Sequence, residues 1–185
     1  GAGDGPPPGP QTGGFPPATP ALKQIYISVL SRFDTPQTAV TLADLSVVDA
    51  DQAIRVASLD VLARQGRWWA IPVITAYLRS KNPELINRAG FSLGQLNAQE
   101  AILPMIEALV TKHDHHVQPL NNFSPDSGLS FGGPSKQVVD LKNESVLAAL
   151  SQITGQGQLG YDKAQWRAWY ASMYAPPADD LRRDL

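Results

Sequence analysis

Two stretches of the chain repeat one pattern 32 residues apart. "RWWAIPVITAYLRS" (67–80) and "AQEAILPMIEALVTK" (98–112) align on Pro72 and Pro104. At that offset Ala57 meets Ala89, Leu59 meets Phe91, Val61 meets Leu93, Ile74 meets Ile106 and Ala76 meets Ala108. Each copy reads as a helix pair: 49–66 then 67–80, and 83–97 then 98–112. A period near 30 built from paired helices restricts the fold more than any other feature here. One pair cannot bury its own apolar face, whereas stacking on the next pair buries a continuous core. The expected fold is therefore all-α, a right-handed α-α superhelix.

The remaining segments extend this grammar. Leu22, Ile25, Tyr26, Val29, Leu30 and Phe33 recur at three-and-four spacing, which predicts a helix after a Thr19 cap with that stripe inward. Thr35 and Pro36 open a second helix carrying Val40, Leu42, Leu45 and Val48. Asp49 or Asp51 caps the third, with Ile54, Ala57, Val61, Leu62 and part of Leu59 inward, and Gly66 ends it. Pro72 suits only a first turn, so the fourth helix is expected to start near Trp69–Ala70. Asn143 is placed to cap "ESVLAALSQITG", whose Val146, Leu147, Leu150 and Ile153 form one stripe. Trp166, Trp169, Tyr170 and Met173 mark a last, degenerate helix as core or end cap.

Residues 113–142 break the rhythm. Rich in Gly, Pro and Ser, they read as a 30-residue insertion, irregular or a β-hairpin, with short strands at 117–120, 129–131 and 137–141. Six Gly and seven Pro fall within residues 1–20. The domain organisation is thus a Pro/Gly-rich linker or tail over 1–19, a helical domain over 20–174 and a C-terminal tail over 175–185. Such a spacer often follows a leader or anchor, which gives a lean toward export and no firmer compartment.

The pattern Ile54-Arg55-x-Ala57, Leu62-x-x-x-Gly66 and Ala70-Ile71-Pro72, with Ile74 and Leu78, resembles a short HEAT-type repeat of the kind found in phycobilin-lyase-like proteins. Arg88-Ala89, Leu93-Gly94, Ala101-Ile102-Leu103-Pro104, Ile106 and Leu109 form the second copy, with one-residue slips. The resemblance covers 50–112, about a third of the chain. The segment "VLAALSQITGQGQLGYDKAQWRAWY" is similar to the ending of bacterial HEAT-repeat proteins, for which that resemblance implies no activity. For this chain the family implies a non-enzymatic protein–protein interaction scaffold. The alternative it carries is a lyase-like or small-molecule-handling enzyme, which requires a deep pocket with convergent polar groups.

Composition narrows the chemistry. The net charge is −2 and no basic run is visible, so nucleic acid is not the expected partner. A glycosylase-like HEAT protein would need a Lys/Arg stripe on one face. With no cysteine, disulfides, thiolate metal sites and thiol nucleophiles are excluded. No apolar run approaches the ~18 residues of a membrane span.

Three motifs remain. Gly155-Gln-Gly157-Gln-Leu-Gly160 spells a dinucleotide fingerprint, and Asp179 and Asp180 stand about twenty residues beyond it. A helix-periodic segment precedes it where the fingerprint requires a strand. The stretch is expected instead to be a turn, with Gly155 closing one helix and Asp162 capping the next, Gln165 standing at the capping-box position. His113-Asp114-His115-His116 could ligate metal, but adjacent histidines rarely converge on one ion, and the preferred reading ends a helix with them. Iron hydroxylases of HEAT type use His-Glu steps, and none occurs here. Trp68 and Trp69 are expected to pack at a helix–helix turn. Arg55 and Arg88 are expected to pair with acids such as Asp60, or with helix C-termini. No cofactor, metal ligand or catalytic constellation is assigned. The candidate partner contacts are Trp68, Arg55 and Arg88, with His115, His116, Phe123 and Phe131 in the insertion.

Overall fold

The computed structural model describes residues 19–117 and 135–174. Its described part is mostly helical: α1 (Pro20–Leu30), α2 (Pro36–Val48), α3 (Gln52–Arg64), α4 (Arg67–Tyr77), α5 (Pro83–Gln95), α6 (Ile102–Ala108), α7 (Glu144–Thr154) and α8 (Lys163–Tyr174). A two-stranded antiparallel ribbon, β1 (Val110–Val117) and β2 (Ser135–Lys142), stands between α6 and α7, with Val110 opposite Lys142 and Val117 opposite Ser135. No helix among the described residues is long and apolar enough to cross a membrane.

The helix starts follow local chemistry. Thr19, Thr35, Asp51 and Asn82 sit at N-caps with extended backbone, and each side chain accepts a hydrogen bond from an N–H of the first turn. Three of the four are followed by proline, whose missing N–H costs nothing there. Pro72 behaves differently. Helix α4 begins at Arg67, two to three residues earlier than expected, and Pro72 lies inside it. Its ring forfeits one bond, to the carbonyl of Trp68, which stands on a residue open to water. Gly66 follows the Gln65 C-cap of α3 in the left-handed region at φ +72°, the place of a helix-ending glycine, and it also stands at the N-cap of α4.

The core runs through α2, which packs against α3, α4 and α5. Its buried face is Thr38, Ala39, Leu42, Ala43, Ser46 and Val47, while Val40 and Val48 lie exposed. Small residues win that face because neighbours come close. A Cβ placed on Gly66 would stand 2.9 Å from Ala39 Cβ. The same logic joins α5 to α7. A Cβ on Gly90 would meet Val146 Cγ2 at 2.8 Å and Val146 Cα at 2.9 Å, and one on Gly94 would meet Ala149 Cβ at 3.0 Å.

Burial keeps the 32-residue offset at Ile54 and Ile86, Ser58 and Gly90, Val61 and Leu93, Ala70 and Ile102, and Ile74 and Ile106, all buried. It fails at Ala57 against Ala89, Leu59 against Phe91 and Ala76 against Ala108, where only Ala89, Leu59 and Ala108 are buried, so of the five pairs expected two hold, Val61 with Leu93 and Ile74 with Ile106.

Segment 98–112 is not one helix. A 3-10 turn at Gln99–Ala101 leads into the short α6, and β1 takes over at Val110. The cause is Asn143, which is fully buried. Its Nδ2 donates to Ala108 O at 2.7 Å and to Thr111 Oγ1 at 3.0 Å, and its backbone N–H donates to Leu109 O at 2.9 Å. The carbonyls that would have continued the helix are thereby taken. Asn143 holds the N-cap position of α7, but its side chain makes no cap bond there. Asn87 caps from outside the helix, its Oδ1 accepting from Ser145 N at 3.0 Å.

Helix α8 closes the far end. Lys163 Nζ donates to Val110 O at 2.7 Å and to Glu107 O. Arg167 holds the Glu107 carboxylate with two bonds, of 2.8 and 2.6 Å. Trp166 is fully buried and Trp169 and Tyr170 half-buried, whereas Met173 is exposed.

Candidate interaction surface

Helix α1 is apolar on nearly all sides. Between Pro20 and Leu30 its one charged residue is Lys23. The side it turns inward is Ile27, 4% exposed, with Leu30 partly covered. The stripe expected to be core points the other way: Leu22, Ile25, Tyr26, Val29 and Phe33 are all exposed, Ile25 at 60%. Two polar contacts accompany this rotation. Lys23 Nζ donates to Asp49 Oδ2 at 2.7 Å, and Gln65 Nε2 donates to Ser31 O at 3.0 Å. Those two bonds tie α1 to the ends of α2 and α3, and its richer apolar face lies outward.

Asp49 is a buried carboxylate at the C-cap of α2. Burial pushes its pKa up. The Lys23 hydrogen bond, the Asp51 N–H bond at 2.9 Å and the charges of Lys23 and Arg55 outweigh that, so the carboxyl is held below its ordinary value.

Trp68 and Trp69 are 69% and 55% exposed, which overturns their expected packing under the turn. On α4 the inward positions are Ala70, Ile71 and Ile74, so residues 68 and 69 are carried outward once the helix starts at Arg67. Arg67 stacks over the Trp68 ring at 5.3 Å and donates to Asn97 O at 3.1 Å.

The structure brings Arg55 and Arg88 together at the C-terminal end of α2. Arg55 Nη1 donates to Asp49 O at 2.8 Å and Ala50 O at 3.0 Å. Arg88 Nη1 donates to Asp49 O at 3.2 Å and Val47 O at 3.3 Å, and its Nη2 pairs with Glu84. Helix-terminal carbonyls, not Asp60, are thus the partners of Arg55, as the dipole at a helix C-terminus favours. Between the two arginines lies a groove of about 250 Å³, lined also by Gln52, Val56, Asn87, Phe91 and Ser145. It is smaller than the ~300–1,000 Å³ typical of small-molecule sites.

His113 to His116 stand on β1 and do not end a helix. His113 Nε2 pairs with Thr111 Oγ1 at 2.8 Å. His115 and His116 pair in backbone register with Gln137 and Lys136. Of the strands expected in the insertion, 137–141 lies within β2, 117–120 meets the described ribbon only at Val117, and 129–131 lies outside the described residues. Phe123, Phe131, Asp179 and Asp180 also lie outside them.

The glycine motif is a helix–helix turn. Helix α7 ends on Gly155 at φ +73°, a 3-10 turn spans Gly157–Leu159, and Asp162 Oδ1 accepts from Ala164 N at 2.9 Å and Gln165 N at 3.1 Å to start α8. Trp166 Nε1 donates to Gly160 O at 2.8 Å and ties the turn to the core.

The exposed α1 face is the surface that periodicity alone misjudged. The available signal was that the opposite side, Lys23, Ile27 and Leu30, offers an ion to a buried acid. Compared with family models, with curated proteins and with solved structures, the chain matches none.

Proposed function

We propose that the chain is a non-enzymatic protein-interaction module, built on HEAT-like helix pairs stacked as a right-handed superhelix. One observation carries this reading: the apolar stripe Leu22, Ile25, Tyr26 and Val29 exposed along a mostly apolar helix, with Phe33 exposed just past its end. Such a helix normally belongs in an interior, and exposed apolar patches of this kind mark contact surfaces. Trp68 and Trp69 add a second exposed aromatic pair, of the residue type that most often anchors interfaces. Burial recurring at the 32-residue offset supports the stacked-pair arrangement. Arg55 and Arg88 serve in this reading as the clamp on α2, with the groove beside them as a secondary contact.

The test places a photo-activatable phenylalanine analogue at Phe33 in the cells that express the protein. A discrete cross-linked species, lost when Ile25 is replaced by Glu, is expected. Equal diffuse labelling from Phe33 and from an unrelated exposed position such as Gln99 would overturn the reading.

A further inference from the structure

We infer that the groove between α3 and α5 takes an acidic peptide segment of a partner protein, an Asp or Glu followed by an apolar residue, with Arg55 as its anchor. The inference rests on the interaction-module reading and names the partner chemistry of its secondary contact. The guanidinium of Arg55 carries it. Nη1 of Arg55 donates to Asp49 O and Ala50 O, which pins the head group at the C-terminal end of α2. Nε and Nη2 have no protein partner among the described residues, and neither is shut away from water. Those two nitrogens form one edge of the fork, which can grip a carboxylate with two parallel bonds. The molecule itself shows this edge in use. Arg167 holds both oxygens of Glu107 through Nε and Nη2, at 2.8 and 2.6 Å. Arg55 offers the same edge with no carboxylate on it.

The rest of the groove sets what accompanies the carboxylate. Arg88 spends Nη1 on Val47 O and Asp49 O and Nη2 on Glu84. The charged residues lining the groove are therefore two arginines and one glutamate, which leaves one positive charge in excess. A single carboxylate matches that excess, whereas a phosphate dianion would be repelled by Glu84. Val56 and Phe91 line the same groove and are exposed, so an apolar wall stands beside the charge. A volume of about 250 Å³ suits two neighbouring side chains better than a whole small molecule. Because Arg55 is already held by two carbonyls, binding orders little that was free before.

Solution NMR on the isotope-labelled full chain tests this with the dipeptide N-acetyl-Asp-Leu-amide as probe. The Arg55 Nε–H and Phe91 amide signals should shift saturably, with a Kd on the order of 1–10 mM. N-acetyl-Asn-Leu-amide keeps the shape and loses the charge, and should bind about ten-fold more weakly. Arg55→Lys keeps the charge and loses the fork, and should weaken binding about five-fold. Arg167→Lys, at the arginine whose carboxylate the chain already supplies, should leave binding unchanged. If Arg55→Lys disturbs the fold, Phe91→Ala decides, with about a three-fold loss expected at this exposed position. No saturable shift, equal binding of the Asp and Asn probes, or tighter binding of inorganic phosphate at Arg55 overturns the inference. No dipeptide binding alongside an Ile25-dependent cross-link from Phe33 in cells would sink the groove and leave the interaction module standing. Absence of both would remove the two together.

Discussion

Asn87 and Asn143, 56 residues apart in sequence, meet through one hydrogen bond, Asn87 Nδ2 donating to Asn143 Oδ1 at 3.0 Å. The pair sits where four elements converge. Asn87 also donates to Pro83 O at 3.0 Å and accepts from Ser145 N, while Asn143 binds the end of α6 and the start of β1. Removing the Asn143 side chain leaves Ala108 O without its donor in the interior. Asn143→Ala is expected to cost about 3 kcal/mol, and Asn87→Ala less, with the double variant costing less than the sum because the two share one network. Urea denaturation of the three variants measures this.

Close approach of α5 and α7 makes a second prediction. Gly90→Ala gains helix propensity yet puts a methyl group 2.9 Å from the Val146 backbone. Overpacking against main chain outweighs propensity, and a net loss of about 2 kcal/mol is expected. Gly155→Ala meets no atom within 4 Å and suffers only its positive φ, so a smaller loss of about 1 kcal/mol is expected. Thermal denaturation ranks the two.

Asp49 sets a pH dependence. Its carboxyl is depressed below its unfolded value by Lys23, the Asp51 N–H and Arg55, against the opposing effect of burial. As pH falls, the unfolded state takes up the proton first. The stabilisation is therefore complete above the ordinary carboxylate range and is lost as pH drops through the lower, folded value. Asp49→Asn should cost about 1–3 kcal/mol at neutral pH, with the gap from wild type closing in acid. Urea midpoints at neutral and at acid pH check the sign. A gap that widens on acidification would contradict it.

Much of the helical architecture was legible because its signals are local. Threonine or asparagine before proline marks three helix starts, and Gly155 and Asp162 bracket a turn whatever else their letters spell. The 32-residue offset found matching buried positions at Val61 with Leu93 and Ile74 with Ile106 and missed elsewhere, because α3 and α4 pack chiefly on α2 whereas α5 packs chiefly on α7. Features decided at a distance were not legible. The rotation of α1 goes with contacts to Asp49 and Gln65, which lie 26 and 34 residues from their partners Lys23 and Ser31. The end of α6 depends on Asn143, 35 residues beyond Ala108. Nothing within 98–112 announces that its carbonyls are claimed elsewhere, so the helix period ran on past its true end. Trp68 and Trp69 were misplaced together with the start of α4: once 67–69 are helical, the ~100° spacing puts both rings away from the inward Ala70, Ile71 and Ile74. Arg55 and Arg88 were placed at like positions of the pattern with acids or helix C-termini as partners, and both take the C-terminus of α2, Arg88 adding Glu84; that the two converge on one helix end was not legible.

The outward face of α1 is the centre of this account, and hydroxyl-radical footprinting of dilute purified protein tests it most directly. Ile25, Tyr26 and Phe33 should label readily and Ile27 scarcely, and the first three should lose reactivity when the protein is labelled inside the expressing cells. Strong labelling of Ile27 with protection of Ile25 in dilute solution would contradict the orientation of α1 and, with it, the interaction surface built on that orientation.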